Sequence, residues 1–294
     1  MSKTVMITGG AGFIGRFLSK ALIQRGYEVF LFDLKENPSH DITNYRVLRE
    51  CIDAWNPDVV FHLAANPRVD ISFEDPITDL KINTLGTLNL LKALKGRNVK
   101  LIFTSTAHVY GEPQYLPIDE RHPINPKSPY AISKYAAERY CLIYGRKLGL
   151  KVVVVRLFNT YGPGQSLGFV IPDLIHRLIN NPEELLVYGT GREVRDFIFI
   201  SDVVNALIKV MECEVEGECY NIGSGVGTSI SKLISLLIKI TNIRPRKITF
   251  TKRNTSGKPS IIIADISKAK RELKWKPLVS IEEGLRHVVR SMID

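Results

Sequence analysis

The run Val5-Met6-Ile7-Thr8-Gly9-Gly10-Ala11-Gly12-Phe13-Ile14-Gly15 constrains this chain more than any other stretch. Residues that favour strands give way to glycines, and apolar residues then resume at helical spacing (Phe13, Leu18, Ala21, Leu22), which predicts strand, tight turn and helix. The glycines satisfy both G-x-G-x-x-G (Gly10, Gly12, Gly15) and G-x-x-G-x-x-G (Gly9, Gly12, Gly15). Glycines so placed provide a turn, bring backbone close to a diphosphate and let helix and strand pack tightly. The helix start, with Phe13 and Ile14, offers free N–H groups and a positive dipole end to the phosphates. A second strand, 28–32, ends at Asp33, whose carboxylate can accept from an adenosine ribose and would repel a 2′-phosphate. The pattern predicts a dinucleotide site for NAD rather than NADP, although Lys35 nearby could reach a phosphate. The alternatives are a mononucleotide site or a plain α/β turn.

Apolar strands recur at 58–65, 100–104 and 151–156, separated by helical patterns at 76–94 and 129–148 and by a helix that Thr43 could cap and that ends near Trp55. Small residues, Ala64-Ala65-Asn66-Pro67, leave the 58–65 strand at the end where an open α/β sheet binds ligands. This alternation predicts an α/β fold, a Rossmann-type doubly wound parallel sheet over 1–160. Beyond Asn159 the pattern loosens. Helices are expected at 171–179, from the Ser201-Asp202 cap onward and at 229–240, and strands at 185–188, 195–200 and 220–223. They predict a smaller mixed α/β substrate-binding lobe over 161–294, with 192–222 returning to the first domain.

Forty basic against 30 acidic residues leave a net charge of +10, spread without runs of like charge, which favours an acidic small-molecule substrate over nucleic acid. The four cysteines (Cys51, Cys141, Cys213, Cys219) form no C-x-x-C pair, so neither a metal nor a disulfide framework is expected and a reducing, cytoplasmic setting fits. The apolar run around Met6 is far shorter than a membrane span.

Tyr130 and Lys134 stand four apart near the start of one helix and share a face. Lowering a tyrosine from about 10 to about 7 takes roughly 4 kcal/mol of preference for the phenolate. One ammonium about 4 Å away, at an effective dielectric near 20, supplies roughly that. A solvated helix face is the plain alternative.

Together with the hydroxyl-rich strand end Thr104-Ser105-Thr106, the segments TGGAGFIG, DIT, FHLAA, KINTLGTLNLL, TSTAHVYG, SPYAISK, RLFNTYGPG, REVRDFIFISDV and YNIGSG resemble the extended short-chain dehydrogenases/reductases of the nucleotide-sugar epimerase/dehydratase family. The resemblance runs from Lys3 to about Trp275. It implies that Thr106 hydrogen-bonds the reacting sugar hydroxyl, that Tyr130 is the acid/base, and that Lys134 holds the nicotinamide ribose and tunes Tyr130. Asp33 would take the adenosine ribose and Asp41 with Ile42 the adenine. Leu63, Ala64 and Ala65 would line the dinucleotide, and Asn83 would brace the strand ends beside it. Asn159 and Arg195 would meet the diphosphate, with a salt bridge from Arg195 to Asp196 or Glu193 as the alternative. Val170, Val187 and Tyr188 would flank the base. A homodimer is implied through the helices around 84–94 and 136–148.

The implied activity is NAD-dependent 4-epimerisation of a nucleotide sugar, UDP-glucose to UDP-galactose, through a transient 4-keto sugar. Alternatives are an epimerase or reductase on another nucleoside-diphosphate sugar, such as a UDP-N-acetylhexosamine, and a catalytically silent dinucleotide-binding protein. Relatives that dehydrate carry Asp-Glu directly after the threonine, and relatives that decarboxylate keep the glutamate; here Ala107 and His108 stand there. His108 is then either a new acid/base or a packed or surface histidine. The family's late Arg-x-Gly-Asp clamp is replaced by Thr255-Ser256-Gly257-Lys258, with Arg253 or Lys258 as substitutes, and its sugar-gating position falls at Ile262.

Overall fold

The computed structural model describes residues 3–251 and 260–293. β1 (Thr4–Thr8) runs through the glycine turn into α1 (Phe13–Ile23), and β2 (Glu28–Phe32), α2 (Tyr45–Trp55), β3 (Val59–His62) and α3 (Val69–Glu74) follow. α4 (Pro76–Leu80) continues through a π-helical turn, Lys81–Leu85, into α5 (Gly86–Leu94). Next come β4 (Lys100–Thr106), a 3-10 turn (Ala107–Tyr110), α6 (Pro129–Leu148) and β5 (Lys151–Leu157). The second half holds β6 (Asn159–Tyr161), α7 (Val170–Asn180), β7 (Glu184–Tyr188), β8 (Val194–Phe199), α8 (Ile200–Glu212), β9 (Glu218–Ile222), β10 (Gly227–Ser229), α9 (Ile230–Thr241), β11 (Lys247–Thr251), β12 (Ile261–Ile262), α10 (Ser267–Glu272) and α11 (Ile281–Ile293).

Six parallel strands form the main sheet in the order β2-β1-β3-β4-β5-β9. This is the doubly wound Rossmann-type sheet that the strand–helix alternation predicts. Both faces are apolar because alternate residues of each strand point to opposite sides. Val5, Ile7, Phe61, Ile102, Val153 and Val155 face a core shared with α1 and α8, while Met6, Val60, Leu101, Phe103, Val152 and Val154 face α2, α5 and α6. The first of these cores runs on without a break into the residues of α7, α9 and α11. β8 pairs with β6, β10 and β12, and β7 with β11.

Some helix starts differ from the expectation. Asn44, not Thr43, caps α2, its Oδ1 accepting from the Val47 N–H at 3.3 Å. Thr43 instead closes a turn on Asp41, donating from N and Oγ1 to one carboxylate oxygen, each at 2.8 Å. Asp202 is no cap either: it lies buried in the first turn of α8 and accepts from the Val279 N–H at 3.0 Å. Its partner comes from 77 residues further along the chain, which no local pattern can announce.

Candidate active site

In an open parallel sheet, ligands bind beyond the carboxyl ends of the strands where the order reverses, here between β1 and β3. A cleft of about 1500 Å³ lies there. It exceeds the roughly 300–1,000 Å³ of a single-ligand pocket, which suits two ligands meeting end to end.

Gly9 takes φ +71°, and a Cβ on it would stand 2.6 Å from the Ala64 N. Side chains rarely adopt that backbone, and none fits the gap. A Cβ on Gly15 would press into the Gly9 carbonyl oxygen, so glycine there lets α1 pack directly on the turn. Gly12 caps α1 without a side-chain bond, which leaves the first-turn N–H groups around Phe13 and Ile14 open to an anion. Asp33 is oriented by the backbone, accepting from Ala11 N at 3.1 Å and Lys35 N at 2.8 Å. Gly9, Gly12, Phe13, Ile14, Gly15, Asp33, Asp41, Ile42, Leu63, Ala64 and Ala65 all line the cleft, a cradle whose donors and shape fit a dinucleotide. Asn83 does not. It is fully buried in the π-helical turn, where Oδ1 accepts from Asn66 N at 2.9 Å and Nδ2 donates to Ser133 Oγ at 3.0 Å and Asp79 Oδ1 at 3.1 Å. It ties the exit of β3 to α6 from beneath the cleft.

α6 begins where Ser128 Oγ accepts from Ala131 N at 3.1 Å, with Pro129 in its first turn. That start carries Tyr130 and Lys134 to the cleft beside Thr106, the last residue of β4. Burial pushes the Tyr130 phenol up to about 12; its hydrogen bond with Thr106 pulls back and the charge of Asp79 pushes further. Burial likewise brings Lys134 down to about 8, opposed by Cys141, Asp79 and Glu138. The Lys134 ammonium stands 4.4 Å over the Phe103 ring. The expected drop of Tyr130 toward 7 is therefore absent from the ligand-free site. A four-residue spacing predicts a full charge on Lys134 in a partly wet setting, whereas both groups are buried and desolvation dominates.

Two polar clusters escaped the sequence reading. Asp79 accepts from Ser133 Oγ at 2.5 Å and from Asn66 Nδ2 at 3.2 Å. Glu138, on the same face of α6 as Lys134, accepts from Ser105 Oγ at 2.7 Å and forms a buried ion pair with Arg156 at 2.5 Å. Arg156 Nη1 also donates to Tyr110 Oη at 2.8 Å, which donates to Asn221 Oδ1 at 2.7 Å. A lone arginine after four valines, and a glutamate four residues past Lys134, were the available signals.

Across the cleft stand Asn159, Val170, Tyr188 and Arg195. Val187 is 1% exposed and lines instead an adjoining depression of about 310 Å³, shared with Val170, Tyr188 and Arg195. Arg177 stands 4.3 Å over the Tyr188 ring. Arg195 makes no ion pair among the described residues: its Nη1 donates to the carbonyls of Val194 at 3.0 Å and Ser260 at 2.9 Å. Asp196 is buried and occupied by Ser224, Gly225 and Ala264, and Glu193 by Thr190. Ile262 pairs with Arg195 in the β12–β8 ladder and does not line the cleft. Arg253 and Lys258 lie outside the described residues. Among the described residues no cluster of three or more His, Cys, Asp or Glu could hold a metal ion, and no helix is long and apolar enough to cross a membrane.

Residues 5–223 match the NAD dependent epimerase/dehydratase family. The structure superposes on a UDP-glucose 4-epimerase of Thermotoga maritima solved with UDP-glucose, at 35% identity and a TM-score of 0.90, covering 99% of this chain and 98% of that one. It also superposes on the Thermus thermophilus UDP-glucose 4-epimerase in complex with NAD, at 30% identity and a TM-score of 0.87, over 99% of each chain. UDP-glucuronic acid decarboxylase 1 of Arabidopsis thaliana is 34% identical over 97% of this chain and 68% of its own length. With its glycine cradle, its six-stranded parallel sheet and these relatives, the chain belongs to the NAD-dependent epimerase/dehydratase family of extended short-chain dehydrogenases/reductases, and NAD is its cofactor.

Proposed function

We propose that the protein is a nucleotide-sugar 4-epimerase that interconverts UDP-glucose and UDP-galactose. The observation that carries this reading is the meeting of Thr106, Tyr130 and Lys134 at one cleft, with Ala107 and His108 where dehydrating relatives have two carboxylic acids. When bound, NAD supplies reversible two-electron redox chemistry. Thr106 positions the sugar 4-hydroxyl and Tyr130 takes its proton, returning it when the alcohol re-forms. Lys134 holds the nicotinamide ribose, and its charge favours the tyrosinate. Oxidation makes C4 planar, and the 4-keto sugar turns over before it is reduced on its other face. That requires a firm grip on the nucleotide, here Asn159 and Arg195 on the diphosphate and Val170, Val187 and Tyr188 around the base, with a loosely held hexose.

The Arabidopsis relative makes decarboxylation the nearest competing chemistry, and His108 in place of the glutamate that decarboxylating relatives keep argues against it. Purified protein incubated with UDP-galactose and NAD, without reductant, is expected to form UDP-glucose by NMR with no net NADH. A 4-keto-6-deoxy product, or no conversion of any UDP-hexose, rejects the reading.

The same reading includes a homodimer. Leu80 (50% exposed) and Leu85 (46%), on the continuous α4–α5 helix, and Ile132 (54%) and Ile143 (48%), on α6, present apolar surface left exposed among the described residues. A symmetric pairing of these helices would bury it. Sedimentation at micromolar concentration is expected to give the dimer mass, and Ile143→Glu to give monomer. A wild-type monomer at that concentration would remove this part. A cytoplasmic location accords with four cysteines that are all free.

A further inference from the structure

We propose that His108 is a specificity-determining residue, its uncharged imidazole pairing with a hydroxyl of a neutral hexose and disfavouring a hexuronate at the same place. The inference rests on the nucleotide-sugar reading of the cleft. His108 lies in the 3-10 turn after β4, and its N–H donates to Thr106 Oγ1 at 3.2 Å, so the residue that would hold the reacting hydroxyl also fixes this turn. Its ring lines the cleft edge-on to Tyr130, with centroids 6.0 Å apart. Arg195, from β8, is the charged group that acts on it. His108 therefore shares the cleft with the proton-transfer tyrosine, which its ring touches, and with the arginine assigned to the diphosphate, whose charge reaches it. Neither ring nitrogen bonds to any described residue.

A neutral imidazole offers one donor and one acceptor, the complement of a hydroxyl, whereas a carboxylate only accepts and is best met by the doubly donating imidazolium. Forming that imidazolium is unfavourable here. The His108 side chain is exposed to the cleft, and the surrounding protein walls, which displace water from it, together with the charge of Arg195 push it down to about 4. The other groups packed against it, Thr106 and Tyr130, carry no charge at neutral pH, since Tyr130 titrates near 12. Because the pKa of this base is depressed, His108 is neutral throughout the physiological range, and pairing both of its ring nitrogens with a hexuronate carboxylate requires proton uptake.

Calorimetry on the NAD-loaded protein between pH 5 and 8, in two buffers of different ionisation enthalpy, tests this with UDP-galactose and UDP-glucuronate. UDP-galactose is expected to bind without proton exchange and with little pH dependence. UDP-glucuronate is expected to bind with proton uptake and to weaken by up to tenfold per pH unit, a linkage lost in His108→Gln. His108→Ala is expected to raise the KM for UDP-galactose roughly three- to tenfold, the worth of one neutral hydrogen bond, with His108→Gln restoring most of it. Proton-free binding of UDP-glucuronate as tight as UDP-galactose at pH 7.5, or an unchanged KM in His108→Ala, overturns the assignment. Proton-coupled uronate binding without any UDP-hexose turnover would sustain this inference while removing the epimerase reading; turnover without the linkage would do the reverse.

Discussion

Tyr130→Phe is expected to bind NAD as the wild type does and to lose turnover of UDP-galactose by roughly 10²–10⁴-fold, the usual cost of removing a general acid/base. The substitution deletes one oxygen and keeps the ring that meets His108 edge-on. The cap at Ser128 and the Ser133 bond to the Tyr130 carbonyl, 3.0 Å, stay in place, so α6 keeps its position. The loss is then chemical rather than structural. Lys134→Met should act differently. It removes the ammonium that shares the cleft and the α6 face with Tyr130, so NAD binding is expected to weaken and the activity profile to move to higher pH as the phenol, held near 12, loses a charge that would help to ionise it. Single-turnover rates and NAD calorimetry on both variants separate the two roles. Near-normal turnover in Tyr130→Phe would end the proposed mechanism.

Arg156→Met is expected to destabilise the fold by about 3–5 kcal/mol, the range for removing one partner of a buried ion pair. The Arg156 and Glu138 side chains are 7% and 1% exposed. Without the guanidinium, Glu138 keeps the Ser105 hydroxyl as its donor, and a buried carboxylate so poorly matched is far costlier than the pair. Tyr110 loses its guanidinium donor as well. A fall in Tm on the order of 10 °C should follow in thermal unfolding. Adding Glu138→Gln removes the orphaned charge and should recover a large part of the loss. If Arg156→Met costs under about 1 kcal/mol, the pair contributes orientation and not stability.

Much of this architecture could be read along the chain because its signals are local. The glycine turn, the helix carrying Tyr130 and Lys134, and the threonine ending β4 each announce themselves within a dozen residues, and they define the cleft. Polar groups that become buried do not. Asp79, Ser133 and Asn66 look like ordinary helix and loop residues until tertiary packing brings three segments together around Asn83. The Tyr130 phenol shows the same limit, since its titration is governed by burial, which no i, i+4 spacing encodes. Val187 and Tyr188, strand neighbours that face opposite sides, differ sharply in burial, one 1% and the other 52% exposed, a contrast that their adjacency in the sequence does not display.

The return of the chain to the main sheet has a consequence for synthesis. β5 gains its outer neighbour only when β9 emerges from the ribosome, roughly 60 residues and several seconds later. Until then its valine-rich edge presents unpaired backbone, and the face of α1 that α8 covers lies bare. A nascent chain stopped after the first five strands therefore already carries every glycine of the cofactor cradle and all three of Thr106, Tyr130 and Lys134, yet cannot close the core that holds them. Truncation near residue 160 would yield a sticky intermediate, not a minimal enzyme.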